Sequence, residues 1–348
     1  MIIAIYTVLF IIILLFAVLY KKQPLKILNR PFLNIYYIDK DGNQRATNII
    51  IITQPFTEQT NIDTYYTLKR QGNLFIGMTS YSEFPKIMSN PYDRLRNPRD
   101  IAWAYNYTDL VDAWLYCFRN PKDYIPGNKP SILLSESDFA DYELHIPNPK
   151  IEYDFMYVCL KDNDKCEDGW QSYIRNWKVT KKMLDIMCEE YGLKGLLIGR
   201  IGCDIPGSCN HLVELTDFQQ YTEFIENYNK CRFIFLPNTV DASPRVATEA
   251  MCYNLPLFMN YDILGGWKYV VPGITGEFFN LDLESFRLSL KNFLENLNRG
   301  LYSPREYFIN NYGAINSGKK LLEFIKTLYP EKYLNFNFND VKYIKPGV

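Results

Sequence analysis

From Pro31 onward, short apolar runs alternate with helix-period stretches, a rhythm that restricts the chain to largely parallel sheets covered by helices. In the first half, residues 32–38, 49–53, 74–78 and 132–134 read as strands, and 60–70 and 101–118 as helices. The second half repeats the rhythm more cleanly, with strands at 155–160, 196–199, 212–215, 233–237 and 256–260. Helices are expected over 179–191, 282–297 and 317–328. Thr216 to Gln219 has capping-box spacing ahead of an amphipathic run to Asn229, and Ser303 to Glu306 has it again. Ser243-Pro244 offers an N-cap followed by proline in the first turn. Pro147 and Pro149 each fix φ and bias the preceding residue away from helix, so this segment reads as a hinge. The expectation is an N-terminal α/β domain over 31–147, a Rossmann-like α/β domain over 151–330, and a tail over 331–348.

The length of 348 residues suits two domains at roughly 100–200 residues each. With 47% hydrophobic and 16% aromatic residues, the chain buries real cores and is not disordered. Lys and Arg total 38 against 39 acids, so no basic footprint marks a dedicated nucleic-acid binder. The first twenty residues carry no charge and, as a helix, would span roughly 30 Å, the thickness of a bilayer core. A transmembrane anchor over 1–20 is therefore expected. No basic segment precedes the apolar run and no small-residue cleavage site follows it, which separates it from a signal peptide. Lys21, Lys22, Lys26 and Arg30 precede the first acid, Asp39, so the positive-inside rule places the body in the cytosol. The eight cysteines include no C-x-x-C pair and accompany only two histidines, His145 and His211, so a zinc site is not expected. Most cysteines read as reduced, buried small hydrophobes. The sequon at Asn106-Tyr107-Thr108 matters only for a lumenal body.

The stretch from Cys231 to Asn260 reads as strand, loop, helix, turn and strand, with Asp241 in the loop and Glu249 in the helix. Such a loop lies at the carboxyl end of a parallel strand, where open α/β sheets bind ligands. Free N–H groups and the helix dipole there suit a phosphate. Eight helical residues span roughly 12 Å, comparable to the distance from the sugar of a nucleotide sugar to its ribose. A carboxylate can accept from both hydroxyls of a ribose diol, a chemical reason for an acid at 249.

In this order the chain carries Asp241-x7-Glu249, Ala250-Met251, Leu255-Pro256, Gly265-Gly266-Trp267 and Thr275-Gly276-Glu277-Phe278-Phe279. The series resembles the nucleotide-sugar-binding half of GT-B glycosyltransferases, in particular the large retaining, family 4-like group with an E-x7-E motif. The resemblance covers about residues 151–330 and implies two Rossmann-like domains facing a cleft. It also implies transfer of a hexosyl or pentosyl group from a UDP- or GDP-sugar to a glycan or lipid-linked acceptor, with no metal or other cofactor required. By the same resemblance Glu249 holds the donor ribose and Asp241 lies near the transferred sugar. The two basic phosphate ligands are expected from the first strand–helix unit: Lys178 first, Arg175 second, and Arg200 as a third candidate after its strand. Gly265 and Gly266 would let backbone approach the donor. The chain departs from the pattern in having Asp rather than Glu at 241, and Ala242-Ser243-Pro244 where a Gly-x-Gly-like approach is usual. Ser243 is expected among the donor-binding residues, and Arg245, absent from the usual pattern, is expected to touch phosphate from the helix's first turn.

Asp162-Asn163-Asp164 follows an apolar run in the manner of a D-x-D metal site, although a solvated acidic turn explains it as well. Trp267 and Tyr269 read as packing residues rather than a stacking platform. Glu83, Glu136 and Asp138 follow strands of the first half and are alternatives for the general base that an inverting enzyme needs. A non-catalytic, membrane-anchored binding or assembly subunit on the same fold is the alternative function. A nucleotide-sugar epimerase is a third.

Overall fold

The structure, a computed structural model, describes residues 28–81, 84–85, 105–125, 127–330 and 341–347. The expected anchor over 1–20 and the candidate base Glu83 lie outside the described residues. No helix among the described residues is long and apolar enough to cross a membrane.

The first half runs β1 (Phe32–Asp39), β2 (Gln44–Ile52), α1 (Gln59–Arg70), β3 (Leu74–Met78), α2 (Tyr107–Leu110), β4 (Ala113–Tyr116) and β5 (Ser131–Leu133). The second half runs β6 (Tyr153–Val158), α3 (Trp170–Ile174), α4 (Trp177–Glu189), β7 (Gly195–Ile198), β8 (Val213–Thr216) and α5 (Tyr221–Glu226). It continues with β9 (Cys231–Leu236), α6 (Arg245–Cys252), β10 (Leu257–Asn260), β11 (Gly276–Phe279), α7 (Leu283–Asn298), α8 (Pro304–Asn311), α9 (Gly313–Leu328) and β12 (Val341–Pro346).

Two six-stranded sheets result. One has the order β12-β1-β2-β3-β4-β5, the other β11-β10-β9-β6-β7-β8. Every pairing in the second sheet is parallel, and in the first only β1 runs antiparallel to its neighbours. Alternate residues of each strand feed opposite faces, as a two-residue side-chain period requires. Phe155, Leu197, Phe233 and Phe258 pack under α4 and α7, whereas Met156, Leu196, Ile234 and Met259 pack under α6 and α8. The first sheet likewise sends Ile49, Ile51 and Ile76 to one face and Ile50, Ile52 and Phe75 to the other. Sheets buried on both faces explain the continuous apolar runs in the sequence.

Several expectations are corrected. Within the described residues 105–118, the helix expected over 101–118 gives way to the single turn α2 and the buried strand β4. Ala113-Trp114-Leu115-Tyr116 is an apolar run whose period cannot separate a core strand from a core helix. Thr216 ends β8 instead of capping a helix; α5 begins at Tyr221 after Gln220. Pro244, not Ser243, occupies the N-cap position of α6, and Ser303 makes no side-chain cap bond to α8. Gly276 to Phe279 forms a strand beside β10 where a turn was expected. The chain also returns to the first half. Leu321, Phe324 and Ile325 of α9 pack in the core of the first sheet, and β12, within the expected tail, pairs with β1.

Four of the eight cysteines form two disulfides, Cys166–Cys203 and Cys188–Cys209; Cys117, Cys159, Cys231 and Cys252 are free and buried. The expectation of mostly reduced thiols is thus corrected for half of them. Their partners lie 37 and 21 residues apart, a distance at which spacing reveals no pairing. Both bonds brace the second half, one joining the loops after β6 and β7. Alkylation without reduction, followed by mass spectrometry, should find these two linked peptide pairs. Loss of either bond should lower unfolding stability by about 2–4 kcal/mol. Four alkylated thiols at these positions in the native protein would contradict the pairing.

Candidate functional site

The second sheet starts at its centre with β6, proceeds through β7 to β8 at one edge, then returns to β9 and continues outward to β11. The direction of winding therefore reverses between β6 and β9, and the carboxyl ends of those two strands open a crevice of the kind that binds ligands in open α/β sheets. Arg175 comes from the unit after β6 and Asp241 from the loop after β9; their side chains meet as an ion pair, Arg175 Nη1 donating to Asp241 Oδ2. Asn238 Nδ2 donates to the same oxygen at 3.0 Å. The Thr239 N–H donates to the Ile174 carbonyl at 3.1 Å, which fixes the loop after β9 against the end of α3.

Lys178 is exposed in the first turn of α4 and borders a cavity of about 460 Å³ with Ser172, Tyr173, Asn176, Trp177 and Thr239. Asn176 ahead of this helix adopts the left-handed conformation, φ 57°. Arg200 is placed differently from expectation, being fully buried. Its Nη2 donates to Ser172 Oγ at 2.7 Å, its Nε donates to the Cys159 carbonyl at 3.2 Å, and its guanidinium lies 4.8 Å from the Trp177 ring. Nη1 alone lacks a hydrogen-bond partner among the described residues. Arg200 thus braces the crevice floor rather than emerging from the strand end.

Glu249, in the second turn of α6, is 8% exposed. Its Oε2 accepts from the Tyr228 hydroxyl at 2.9 Å and its Oε1 from the Tyr221 hydroxyl at 3.2 Å. Burial pushes the carboxyl pKa up, while the two phenols and the nearby Arg245 pull against it. Arg245 is exposed at the first position of the same helix. The glycines at 265 and 266 serve a loop contact. A Cβ at 265 would lie 1.8 Å from the Ala242 carbonyl oxygen, and one at 266, where φ is +80°, would lie 2.3 Å from Pro244 Cγ. Only glycines let this loop press against residues 241–244, and the Gly265 N–H then donates to the Asp241 carbonyl at 2.8 Å.

Asp162 does not aim at a metal. Its Oδ1 accepts from the Gln171 N–H at 2.7 Å, and its Oδ2 from the Ser172 N–H at 2.9 Å and hydroxyl at 2.6 Å, so it caps α3. Asp164 is fully exposed beside Lys161. No group of three His, Cys, Asp or Glu among the described residues could hold a metal ion.

The halves meet through contacts that sequence reading missed. Asp138, an expected cleft acid, is 1% exposed and its Oδ2 takes the ammonium of Lys268 at 2.6 Å. Its Oδ1 accepts from the Tyr269 hydroxyl at 2.6 Å. Beside it, the hydroxyls of Ser137 and Ser243 lie 2.7 Å apart, so Ser243 faces the first half. Arg119 donates to the Tyr261 carbonyl at 2.7 Å, with its guanidinium 4.6 Å from that ring and 5.1 Å from Trp267. Tyr269 is fully buried, the packing role expected of it. Glu136 lies 3.5 Å from Arg30. His145 is buried against Tyr253, and that burial lowers its pKa. No motif announces Lys268, because only the fold brings it to Asp138. Removing one partner of a buried ion pair leaves the other charge uncompensated at a cost of about 3–5 kcal/mol. Lys268→Met should therefore destabilise the protein by about that amount in urea unfolding, and adding Asp138→Asn should recover part of the loss. A Lys268→Met variant as stable as the parent would show that the pair does not hold the halves together.

No protein-family model and no curated protein sequence matches the chain. Solved structures do match in shape. Sucrose-phosphate synthase from Thermosynechococcus elongatus aligns at TM-score 0.57 with 11% identity, over 82% of this chain and 74% of that one. HepE from Anabaena, solved with UDP-glucose, aligns at 0.54 with 10% identity, over 80% and 78%. TarM aligns at 0.54 with 10% identity, over 81% of this chain and 54% of its own length. These neighbours are GT-B glycosyltransferases. Two parallel-rich α/β sheets, a crevice at the switch point of the second, and these alignments together give the chain the GT-B fold.

Proposed function

We propose that the chain is a glycosyltransferase that moves a hexosyl or pentosyl group from a UDP- or GDP-sugar to a glycan or lipid-linked acceptor without needing a metal. The observation that carries this reading is the meeting of Arg175 and Asp241 at the switch point, with Lys178 at the adjoining cavity. In the ligand-free protein Arg175 neutralises Asp241. A diphosphate carries more negative charge than a single carboxylate and competes for the same guanidinium. Its arrival would free Asp241 to accept hydrogen bonds from hydroxyls of the sugar. Arg175, Lys178 and the N–H groups at the start of α6 would then stabilise charge on the departing diphosphate. Glu249 would hold the ribose. HepE, solved with UDP-glucose, and TarM, solved with UDP, supply the donor class by analogy.

The uncharged residues 1–20 support a membrane anchor and, with it, an acceptor held at the membrane. The charge flank favours a cytosolic body, whereas the two disulfides favour an oxidising compartment, since cytosolic reductants keep thiols reduced. Linked pairs in the alkylation experiment above would favour an oxidising compartment, and free thiols the cytosol.

The alternative of a non-catalytic binding subunit draws on the same ion pair, which occupies the first acid of the motif. Release of nucleoside diphosphate from a panel of nucleotide sugars, with and without glycan and lipid-linked acceptors, separates the readings. Transfer predicts acceptor-dependent release, and Arg175→Ala should lower kcat by about 10²–10³-fold, as for other groups that stabilise transition-state charge. Nucleotide binding without turnover on any acceptor would favour the subunit, and an isomerised sugar without acceptor an epimerase.

A further inference from the structure

The carboxylate of Glu249 does not stand alone. Each of its oxygens already accepts one phenol, Tyr228 on Oε2 at 2.9 Å and Tyr221 on Oε1 at 3.2 Å. Tyr228 sits in the turn Asn227–Lys230 and is fully buried, with its ring stacked on Tyr253 at 5.2 Å and 16°. It cannot swing away without opening the core. Tyr221 begins α5 and is 54% exposed, so it approaches the same carboxylate from the solvent side. A carboxylate oxygen accepts in two lone-pair directions, so one donor on each oxygen leaves a second acceptor position on each. Two such positions on one rigid carboxylate match two adjacent hydroxyls.

Resting on the donor-binding reading above, we propose that Tyr228 and Tyr221 are positioning residues that hold Glu249 as a reader of the ribose 2′,3′-diol, so that the protein selects ribonucleotides over 2′-deoxyribonucleotides. A site that pairs its polar atoms with a substrate hydroxyl leaves them unpaired when the hydroxyl is missing, which is a strong source of discrimination. The phenols hold one orientation of the carboxylate. Without them the group keeps its charge but loses its aim.

The charged and titratable groups around Glu249 define a second readout. Arg245 shares its helix, Tyr221 and Tyr228 face it from α5 and the turn that follows, and Cys252 and Tyr253 lie at the far end of α6. Burial raises the Glu249 pKa and the Tyr228 hydrogen bond lowers it. Removing that bond should raise the pKa further, so the carboxylate is protonated, and binding lost, at a higher pH than in the parent.

The test is calorimetry of the full chain with UDP, GDP and their 2′-deoxy counterparts across a pH series. The parent should prefer the ribonucleotide by about tenfold to a hundredfold, the range expected for losing a hydrogen bond to a charged group. Tyr228→Phe, which retains the ring that stacks on Tyr253, should reduce that preference to about threefold or less. It should also move the acid limb of binding to higher pH. Tyr221→Phe, at an exposed position, should shift both readouts in the same directions and serves if Tyr228→Phe fails to fold. Folded variants that keep the parent's preference and acid limb would overturn the positioning role. A parent that binds both sugar types equally would overturn the inference while leaving donor binding intact. A parent that binds no nucleoside diphosphate would sink the donor reading and this inference with it.

Discussion

Asp138 and Lys268 place a buried ion pair between the two halves of the molecule, and the contacts around it join the motif loop to the first half. Each half has its own sheet and its own two-faced core, and apolar contact between them is made where α9 packs into the core of the first sheet. A charge taken out of water must be compensated at defined distances, so the pair adds a directional contact to that apolar packing. The Asp138 carboxylate is satisfied by Lys268 and Tyr269 from the second half and by the Ser135 N–H from the first. The same contact seats Ser137 on Ser243, one residue from the N-cap of α6. Positioning of the halves and positioning of the motif loop are therefore one arrangement.

Within the second half, electrostatics at the crevice are arranged in layers. Arg200, Ser172 and Asp162 form a buried polar cluster. Arg175 and Asp241 form a partly exposed pair, the one on which the proposed diphosphate binding rests. Glu249, farther along α6, is set into the wall by two phenols. The Arg200 and Asp162 side chains are thus nearly or fully buried, whereas those of Arg175 and Asp241 are partly exposed.

Much of this was legible in the sequence because it depends on local pattern. The strand–helix rhythm follows from sheets buried on both faces, and Asp241 and Glu249 stand out because loop and helix N-terminus are adjacent in the chain. Two kinds of feature were not legible. Ala113 to Tyr116 is apolar on both faces, so its period does not distinguish strand from helix, and the context that decides it lies in β3 and β5. The return of α9 and β12 to the first sheet, the pairing of the cysteines, and the meeting of Asp138 with Lys268 are all long-range events with no local signature. Arg200 is the complementary case: its position after β7 is evident in the chain, but only the three-dimensional packing turns its guanidinium inward against Trp177.

The central claim is that the crevice between β6 and β9 holds a nucleotide sugar through its diphosphate and ribose. Calorimetric titration of nucleoside diphosphates into the folded protein and its Glu249→Ala variant tests it most directly. The account predicts saturable binding by the parent and a loss of affinity of about tenfold or more in the variant at unchanged fold, as expected for losing hydrogen bonds to a charged group. Equal affinity in the two proteins, or no binding by the parent, would contradict it.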